Sequence, residues 1–501
     1  MPRPGVTITT SAAAVAATPG KPLGTWLIAA QTQRGPSVPD PTRPLRSLGD
    51  YANQYGSRDA TLGASVTAAY DAVDAFFRTG GSAVLVARVV GPSAVTASRT
   101  LQDRAGSPVN TLRVDAIGPG AWANSHLKVS VANGVTSNTY VITILVDDVV
   151  TETSPELASP TDAVTWGASS GYVRIVDLAS ATAAPTNNPA VLSATALASG
   201  ADDLASVTDT QWTNALNTGF PYAYGPGLVS KVGVSTAAGH AGTVAHAAAN
   251  NRVALLDGAA GSSQGTLTTL AASVQSTAGS TSEYAALFAP WLQVPAASTG
   301  TSPRLVAPSS VAAGLISAQV TTGSPNIPAA GDNGRAEWVI DVQSVFTATE
   351  RDTLNAASPV NVFRRPYPAS AAPAIELYGY NTLASVASGS TNSAWRQLSA
   401  QLMRTQLVHE MNLVGEQFVF DQIDGKGLKI AEFKGTIMGV LAEYKGAGSL
   451  WDFRVDTDSV NNATTIAAGE LHARVQVQIS PYGEFVTIDV VKTPINQSIA
   501  A

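Results

Sequence analysis

The sequence predicts a multidomain protein of mixed α/β and α+β class: a central α/β domain interrupted by an all-β insertion, a C-terminal α+β domain, and extended N- and C-terminal arms. Three observations carry this expectation. Short apolar runs, "TWLIAAQ" (25–31) and "AVLVARVV" (83–90), bracket a helical stretch, which is the pattern of a βαβ unit. Residues 91–200 change to Thr, Ser and Val with period-two alternation and Gly, Asn and Pro punctuation. Beyond "GSPNIPAAG" (323–331), two long helical patterns are followed by strands.

Taken in order, residues 1–20 read as an extended arm. The Ala-rich patch from Ala13 to Ala17 is too short and too weakly apolar for a secretory signal, and prolines flank it on both sides. In "RDATLGASVTAAYDAVDAFFRTGG" (58–81), Val66, Ala69, Val73, Phe76 and Phe77 fall near helical spacing, with glycines closing the helix. "YAYGPG" (222–227), "RVALLDG" (252–258) and "YAALFAPWLQV" (284–294) read as further buried strands, with "GHAGTVAHAAANN" (239–251) as a helix between them. The α/β domain is thus expected over 21–90 and 201–342, and the β-rich insertion over 91–200. A hairpin turn is expected at "ANG" (132–134). The C-terminal domain is expected over 343–493. It holds helices in "AWRQLSAQLMRTQLVHEMNLV" (394–414) and "EFKGTIMGVLAEYKGAG" (432–448), then strands in "LWDFRVDTD" (450–458), "ELHARVQVQISP" (470–481) and "EFVTIDVV" (484–491). Pro494 ends that last strand, and 494–501 form a short C-terminal arm.

The bulk numbers narrow the function. A chain of 501 residues with 45% hydrophobic residues can bury sizeable cores. Only 13% of residues are charged, the net charge is −7 and basic pairs are isolated, which argues against a nucleic-acid surface. The absence of cysteine excludes disulfides, thiol nucleophiles and Cys-based zinc sites. Apolar runs fall short of the ~18 residues a membrane span needs, so direct membrane insertion is not expected.

Signals for chemistry are weak. "GASSG" (167–171) matches the nucleophile-elbow pattern around Ser169, but a strand follows it where a helix is required. The loop carrying Gly258, Gly261 and Gly265 has neither the dinucleotide fingerprint nor the Lys-Ser/Thr of a phosphate loop. His240 and His246 are six apart and share no helix face, and His409 lacks the second histidine of a metalloprotease motif. "DQIDGKG" (421–427) and "DTDSVNN" (456–462) lack the calcium-loop ladder and read as turns. No catalytic, cofactor-binding or metal-binding residue is assigned, and the chain reads as a non-enzyme. An adhesin centred on the β-rich insertion and a hydrolase built on the α/β domain are the competing classes.

Several blocks, in order, carry a resemblance: "GPGAWANSHLKVSV" (118–131), "ALASGADD" (196–203), "EYAALFAPWLQVP" (283–295), "VAPSSVAAGLIS" (306–317) and "GSPNIPAAG" (323–331). They continue with "ERDTLNAASPVNVFRRPYP" (350–368), "AIELYGYNTL" (374–383) and "GSLWDFRVDTDSVNNATTIAAGELHARVQVQISPYGEFVTIDV" (448–490). This ordered string resembles the contractile tail sheath family of phages and related injection machines. The chain departs from the family pattern at "FVFDQIDGKG" (418–427), where the family often has Phe-Glu-Pro-Asn, and at "NIPAAG" (326–331), where a Pro-Ala-Asn block is usual.

The resemblance implies a structural subunit that polymerises with itself as helically stacked hexameric rings around a tail tube. It contracts to drive the tube through a target envelope, using stored conformational energy and no cofactor. It implies as partners the tail tube protein and the baseplate and tail terminator proteins. The implied location is the virion tail, assembled in the host cytoplasm; a tailocin or bacterial injection system is the alternative setting. In the family the C-terminal domain faces the tube, insertions face outward, and the arms cross to neighbours. On this chain the arm strands are Val6, Thr7, Ile8 and Thr9 at one end and Ile495, Asn496, Gln497 and Ile499 at the other. Arg396, Arg404, Lys426, Lys429 and Lys434 are the candidate tube-facing cations.

Overall fold

The computed structural model describes residues 22–58, 63–297, 300–356, 358–366, 374–384 and 394–483. Strand β1 (Thr25–Ala30) leads through helices α1 (Leu48–Tyr55) and α2 (Ala64–Arg78) to β2 (Ala83–Arg88). The two strands pair in parallel, Trp26 opposite Val84, which is the βαβ unit expected from the apolar spacing. Helix α2 forms because Val66, Ala69, Val73 and Phe76 recur every three or four residues and bury together.

Seven strands follow before the chain returns to that sheet. They are β3 (Ser98–Gln102), β4 (Asn110–Ala116), β5 (Leu127–Asn133), β6 (Tyr140–Val146), β7 (Val149–Thr153), β8 (Val173–Asp177) and β9 (Leu192–Ala196), with α3 (Ala123–His126) and α4 (Pro160–Gly167) among them. They form two antiparallel sheets, β3-β4-β8 and β7-β6-β5-β9, around their own core of Leu112, Val114, Val129, Ile142, Ile144 and Ile175. The turn expected at 132–134 lies further on. Ala132 and Asn133 still pair with Val141 and Tyr140, and the Gly134 amide donates to Thr139 O (3.1 Å). The Glu156 carboxylate holds this longer loop by accepting from the Val135 amide (2.7 Å).

The return brings α5 (Asp209–Gly219), β10 (Leu228–Lys231), α6 (Ala237–Ala249), β11 (Val253–Asp257), α7 (Gln264–Ala278) and β12 (Ala285–Ala289). Then come β13 (Leu292–Val294), β14 (Arg304–Val306), α8 (Pro308–Thr322), β15 (Arg335–Ala336), β16 (Asp341–Val342), α9 (Ala348–Leu354), β17 (Val360–Arg364) and β18 (Ile375–Tyr378). The central sheet has the order β15-β18-β17-β12-β11-β10-β1-β2. Its strands from β17 to β2 run parallel, and β18 and β15 close one side antiparallel. Trp26, Ile28, Val84 and Val86 face a core shared with α2 and α8, while Leu27, Ala29, Leu85 and Ala87 face a second core shared with α5, α6 and α7. A parallel sheet needs both faces covered, and the near-continuous apolar runs of β1, β2, β11 and β12 are the consequence. At the crossing of α2 and α8, a Cβ on Gly314 would stand 2.6 Å from Phe76 O, so only glycine allows the approach.

Two expectations change. "YAYGPG" is not a strand: Tyr222–Tyr224 is a single 3-10 turn between Pro221 and Gly225, and the strand begins three residues later at Leu228. The stretch from 343 does not belong wholly to the C-terminal part, because β17 and β18 hydrogen-bond into the central sheet. Val360 and Val362 bury on one face and Phe363 on the other, so a short run buried on both sides carried no period-two signature.

The last elements are α10 (Leu398–Glu416), α11 (Leu428–Gly446), β19 (Leu450–Asp456), α12 (Ala463–Ala467) and β20 (Arg474–Ile479). Met403, Leu407, Val414, Ile437, Leu441, Leu450 and Val455 form their core, whereas Leu398 and Leu402 of α10 pack into the central domain. Helix α10 is therefore shared between the two. The strand expected at 484–491 and both arms lie outside the described residues.

One buried acid gives this fold a measurable pH signature. Asp257, at the carboxyl end of β11, accepts from the amide and hydroxyl of Ser309 (2.8 and 2.7 Å) at the start of α8, and burial pushes its carboxyl up to about 7. The native state holds that proton more tightly than an unfolded chain with an ordinary carboxyl near ~4, so Asp257 withdraws stability as pH rises from about 4 to about 7. Asp257→Asn keeps both partners without the charge. Its melting temperature relative to the parent is expected to climb across that window and level off above it; parallel melting curves at all pH values would contradict the assignment.

Candidate assembly site

Ser169, the glycine loop, the two buried histidines and the two acidic turns each have partners within the chain. Ser169 is preceded by α4, not a strand, and its hydroxyl donates to Trp166 O (2.8 Å). The Gly261 amide donates to Gln343 Oε1 (2.8 Å), so the glycine loop is tied to the chain beyond β16. His240 and His246 are buried: His240 Nε2 meets Asp257 O (2.9 Å) and His246 Nε2 meets the Arg252 guanidinium (2.7 Å). Burial lowers both imidazoles, to about 4 and about 3, so they stay neutral. His409 sits on α10 and burial lowers it too. Asp424 and Asp456 spend their carboxylates on turn amides, of Lys426 and Lys429 in one case and Asp458 and Ser459 in the other. Among the described residues, no group of three His, Cys, Asp or Glu could hold a metal.

In an open α/β sheet, ligands bind beyond the carboxyl ends of the strands, where the strand order reverses. Here Arg88, fully buried at the end of β2, occupies the neighbouring space beyond β1 and β2. Its guanidinium donates to Thr32 O (3.2 Å), Pro119 O and Asp202 Oδ1 (2.5 Å). Asp202 also accepts from the Ala121 amide (2.8 Å), and Asp203 from the Ser93 amide (2.9 Å). Gly91 N–H donates to Asp202 O (2.9 Å). The chain therefore leaves the central sheet and returns to it through one neck, clasped by an ion pair between the buried Arg88 and the partly exposed Asp202.

Exposed apolar side chains occur over the described surface and are densest on the C-terminal elements. β19 and β20 pair antiparallel, and among the described residues neither has another strand partner. Phe453, Val455, Val475, Val477 and Ile479 turn towards the helices, leaving Arg454, Arg474, Gln476 and Gln478 on the outer face. Among the described residues, neither edge of this hairpin carries a further strand. Trp451, at an irregularity in the pairing, is 71% exposed. Leu413, Val419, Phe420, Leu428 and Met438 are exposed nearby in sequence, and Phe420 combines full exposure with a left-handed φ of 68°. In α11 only Ile437 and Leu441 are buried, and a Cβ at Gly435 or Gly439 would meet nothing within 4 Å.

The five predicted cations differ in their partners. Arg396 donates to Asn355 O (2.6 Å), and Arg404 pairs with Glu283, donates to the Tyr284 hydroxyl (2.5 Å) and lies over the Trp395 ring. Both arginines thus engage the central domain. Lys426 is exposed in the loop before α11, Lys429 pairs with Asp421 (3.0 Å) and Glu432 (2.8 Å), and Lys434 pairs with Asp458 (3.1 Å). The Arg88 neck and the exposed apolar residues escaped the sequence reading. The neck joins residues 114 apart, which no local pattern reveals, but apolar residues distributed all round "LKIAEFKGTIMGVLAEY" (428–444) were a visible signal.

No protein-family model matches this sequence, and no curated protein matches it. Solved structures do. The chain is similar to the sheath tail protein of Listeria innocua, with a TM-score of 0.60 and 13% identity over 92% of this chain and 96% of that one. It is similar to a chain of the anti-feeding prophage baseplate (TM-score 0.56, 13% identity, 98% and 99% covered). It is also similar to a chain of the contracted sheath complex of PVC, an extracellular contractile injection system (TM-score 0.50, 11% identity, 98% of each chain covered). The chain therefore has the fold of contractile sheath proteins along nearly its whole length.

The clasp makes a prediction. Arg88→Ala removes the donor shared by the Thr32 and Pro119 carbonyls and Asp202 and is expected to lower stability by about 1–3 kcal/mol. Limited proteolysis should then cut near 91–97 or 198–203 before the two β-sheets themselves; unchanged melting and cleavage would show that the neck is held by other contacts.

Proposed function

We propose that this protein is the structural subunit of a contractile tail sheath, polymerising helically around a tail tube and contracting to drive it through a target envelope without catalysis. The observation that carries the proposal is the likeness to a sheath tail protein and to a chain of a contracted sheath complex over more than nine-tenths of both partners. In this reading the two β-sheets of 91–200 are an outward-facing inserted domain. The C-terminal elements form the tube-proximal polymerisation unit, in a tail assembled in the host cytoplasm with baseplate, terminator and tube proteins as partners.

The open hairpin supports the contact between copies. Arms 1–20 and 494–501 would add strands beside β19 and β20 of neighbouring subunits. Four to six net hydrogen bonds at about 1 kcal/mol each, plus buried Val and Ile side chains, would hold a contact through a large rigid-body movement. The exposed side chains around Phe420 and Leu428 and the bare glycine face of α11 would be covered in the polymer. Of the proposed tube-facing cations, Lys426, Lys429 and Lys434 on and before α11 are the better placed, since Arg396 and Arg404 are engaged by the central domain. Exposed pairs of this kind contribute only about 0.2–1 kcal/mol each, which suits a surface that must release.

Electron microscopy of the purified protein is expected to show rods or hollow tubes; a uniform monomer that adheres to cells or hydrolyses esters would end the proposal. Removing residues 1–12, or 494–501, should leave a folded monomer with an unchanged melting temperature that forms no tubes. Parent-like tubes from both truncated chains would refute the tethering role of the arms.

A further inference from the structure

Helix α10 joins two bodies of unlike packing. Its first turn is fixed to the central domain: Leu398 and Leu402 belong to a core of the central sheet, the Leu398 amide donates to Tyr380 O (3.0 Å), and the Thr382 amide donates to Arg396 O (2.7 Å). Beyond Leu402, among the described residues, no buried apolar side chain joins either core of that sheet. Met403, Leu407 and Val414 pack instead with Ile437, Leu441, Leu450 and Val455. The ties that cross there are polar. Asn251 Nδ2 donates to Thr405 O (2.9 Å), Arg404 pairs with Glu283, and Asn412 donates to the Tyr222 hydroxyl. At the hairpin, Asn326 Nδ2 donates to Ser449 O (3.3 Å) and Ser480 O (2.8 Å), and the hydroxyls of Ser324 and Ser449 meet at 2.6 Å. Within the helix, Ser399 Oγ, Gln401 Nε2, Thr405 Oγ1 and Gln406 Oε1 are buried and have no hydrogen-bond partner among the described residues. Thr405 and Gln406 follow Leu402 by three and four residues, so they lie on its side of the helix, the one turned to the central domain.

We infer that α10 is the arm of a joint: the elements from Arg404 to Ile479 swing away from the central domain as one folded body, pivoting at residues 396–398, while the cores on both sides stay intact. Three observations carry this. The crossing hydrogen bonds are exchanged for bonds to water when the joint opens, so each one lost costs little net free energy. The four unpaired atoms are dry when the joint is closed and become hydrated when it opens, which favours the open form. No buried apolar residue beyond Leu402 changes its surroundings, because Met403, Leu407 and Val414 travel with the core they belong to. Melting of the same elements would instead expose Ile437, Leu441 and Leu450, and the lost burial makes that route the costlier one. Partial openings arise where few apolar contacts hold one element to another, and the seam beyond Leu402 is such a place. Leu398 and Leu402 sit beside the pivot and move least; the ties at Asn412 and Asn326 lie further along and break first. The inference concerns a single chain and does not depend on the sheath reading.

The absence of cysteine lets single thiols report the joint in the full chain. Thr405→Cys replaces a fully buried, unpaired hydroxyl with a thiol of similar size. Ser310→Cys in α8 is an equally buried control in the central domain, and Val414→Cys marks the C-terminal core. Under native conditions the thiol at position 405 is expected to react with a small alkylating reagent at least about ten-fold faster than either control. Adding Gln401→Met, which removes an unpaired donor at nearly constant volume, should slow that reaction several-fold, and adding Asn326→Ala should speed it; neither should change the rate at position 310. Gln406→Cys is an independent second probe of the same seam. Equal rates at positions 405 and 414 would mean that the C-terminal elements melt instead of swinging. Rates at 405 and 406 as slow as that at 310 would mean that the seam stays shut, and a rate that Gln401→Met leaves unchanged would mean that the unpaired atoms do not drive opening. Each of these results overturns the inference, and each is read from covalent mass, separately from any failure to form tubes.

Discussion

The structure depends on one constraint, that six parallel strands must be dry on both faces. Parallel strands are joined by crossovers, and the crossover helices cover the sheet above and below. Trp26 and Phe76 stack at 5.1 Å on one side, while Leu27, Leu85 and Phe220 fill the other. With both faces closed, anything added to this chain must leave from a strand end or extend the sheet laterally. The two sheets within 91–200 do the first, through the neck at Arg88 and Asp202; β18 and β15 do the second.

The C-terminal elements are attached in a different way. Helix α10 gives Leu398 and Leu402 to the central core and Met403, Leu407 and Val414 to the C-terminal one, so a single rod of 19 residues serves two packings. Its junction with the central domain is unusually polar. Asn251 donates to Thr405 O (2.9 Å) and Arg404 pairs with Glu283, while the Ser399 hydroxyl and the Gln401 amide nitrogen find no protein partner among the described residues. A buried polar group left without a partner costs about 1–3 kcal/mol, so this junction is held less tightly per contact than the apolar cores on either side.

The candidate site was legible in part. The open C-terminal hairpin could be anticipated from "LWDFRVDTD" and "ELHARVQVQISP", because alternation over six residues survives any tertiary context that buries one face. The cation cluster could not be placed from spacing. Arg396 precedes α10 while Arg404 lies within it, and Glu283, Tyr284 and Asn355, remote in sequence, draw both arginines inward. "YAYGPG" misled because aromatic residues favour strands only where a sheet receives them; Tyr224 instead donates its hydroxyl to Pro39 O (2.7 Å) from a turn.

The sequence by itself determined the alternation of helix and strand, the change to β-structure after residue 90 and the helical pair near the end. Each of these rests on local periodicity. Tertiary structure alone decided that β17 and β18 complete the central sheet and that Arg88 closes the neck. These depend on pairings between residues tens to hundreds apart, whose partners are chosen by burial and by the need to satisfy buried charge, and no local pattern encodes that choice.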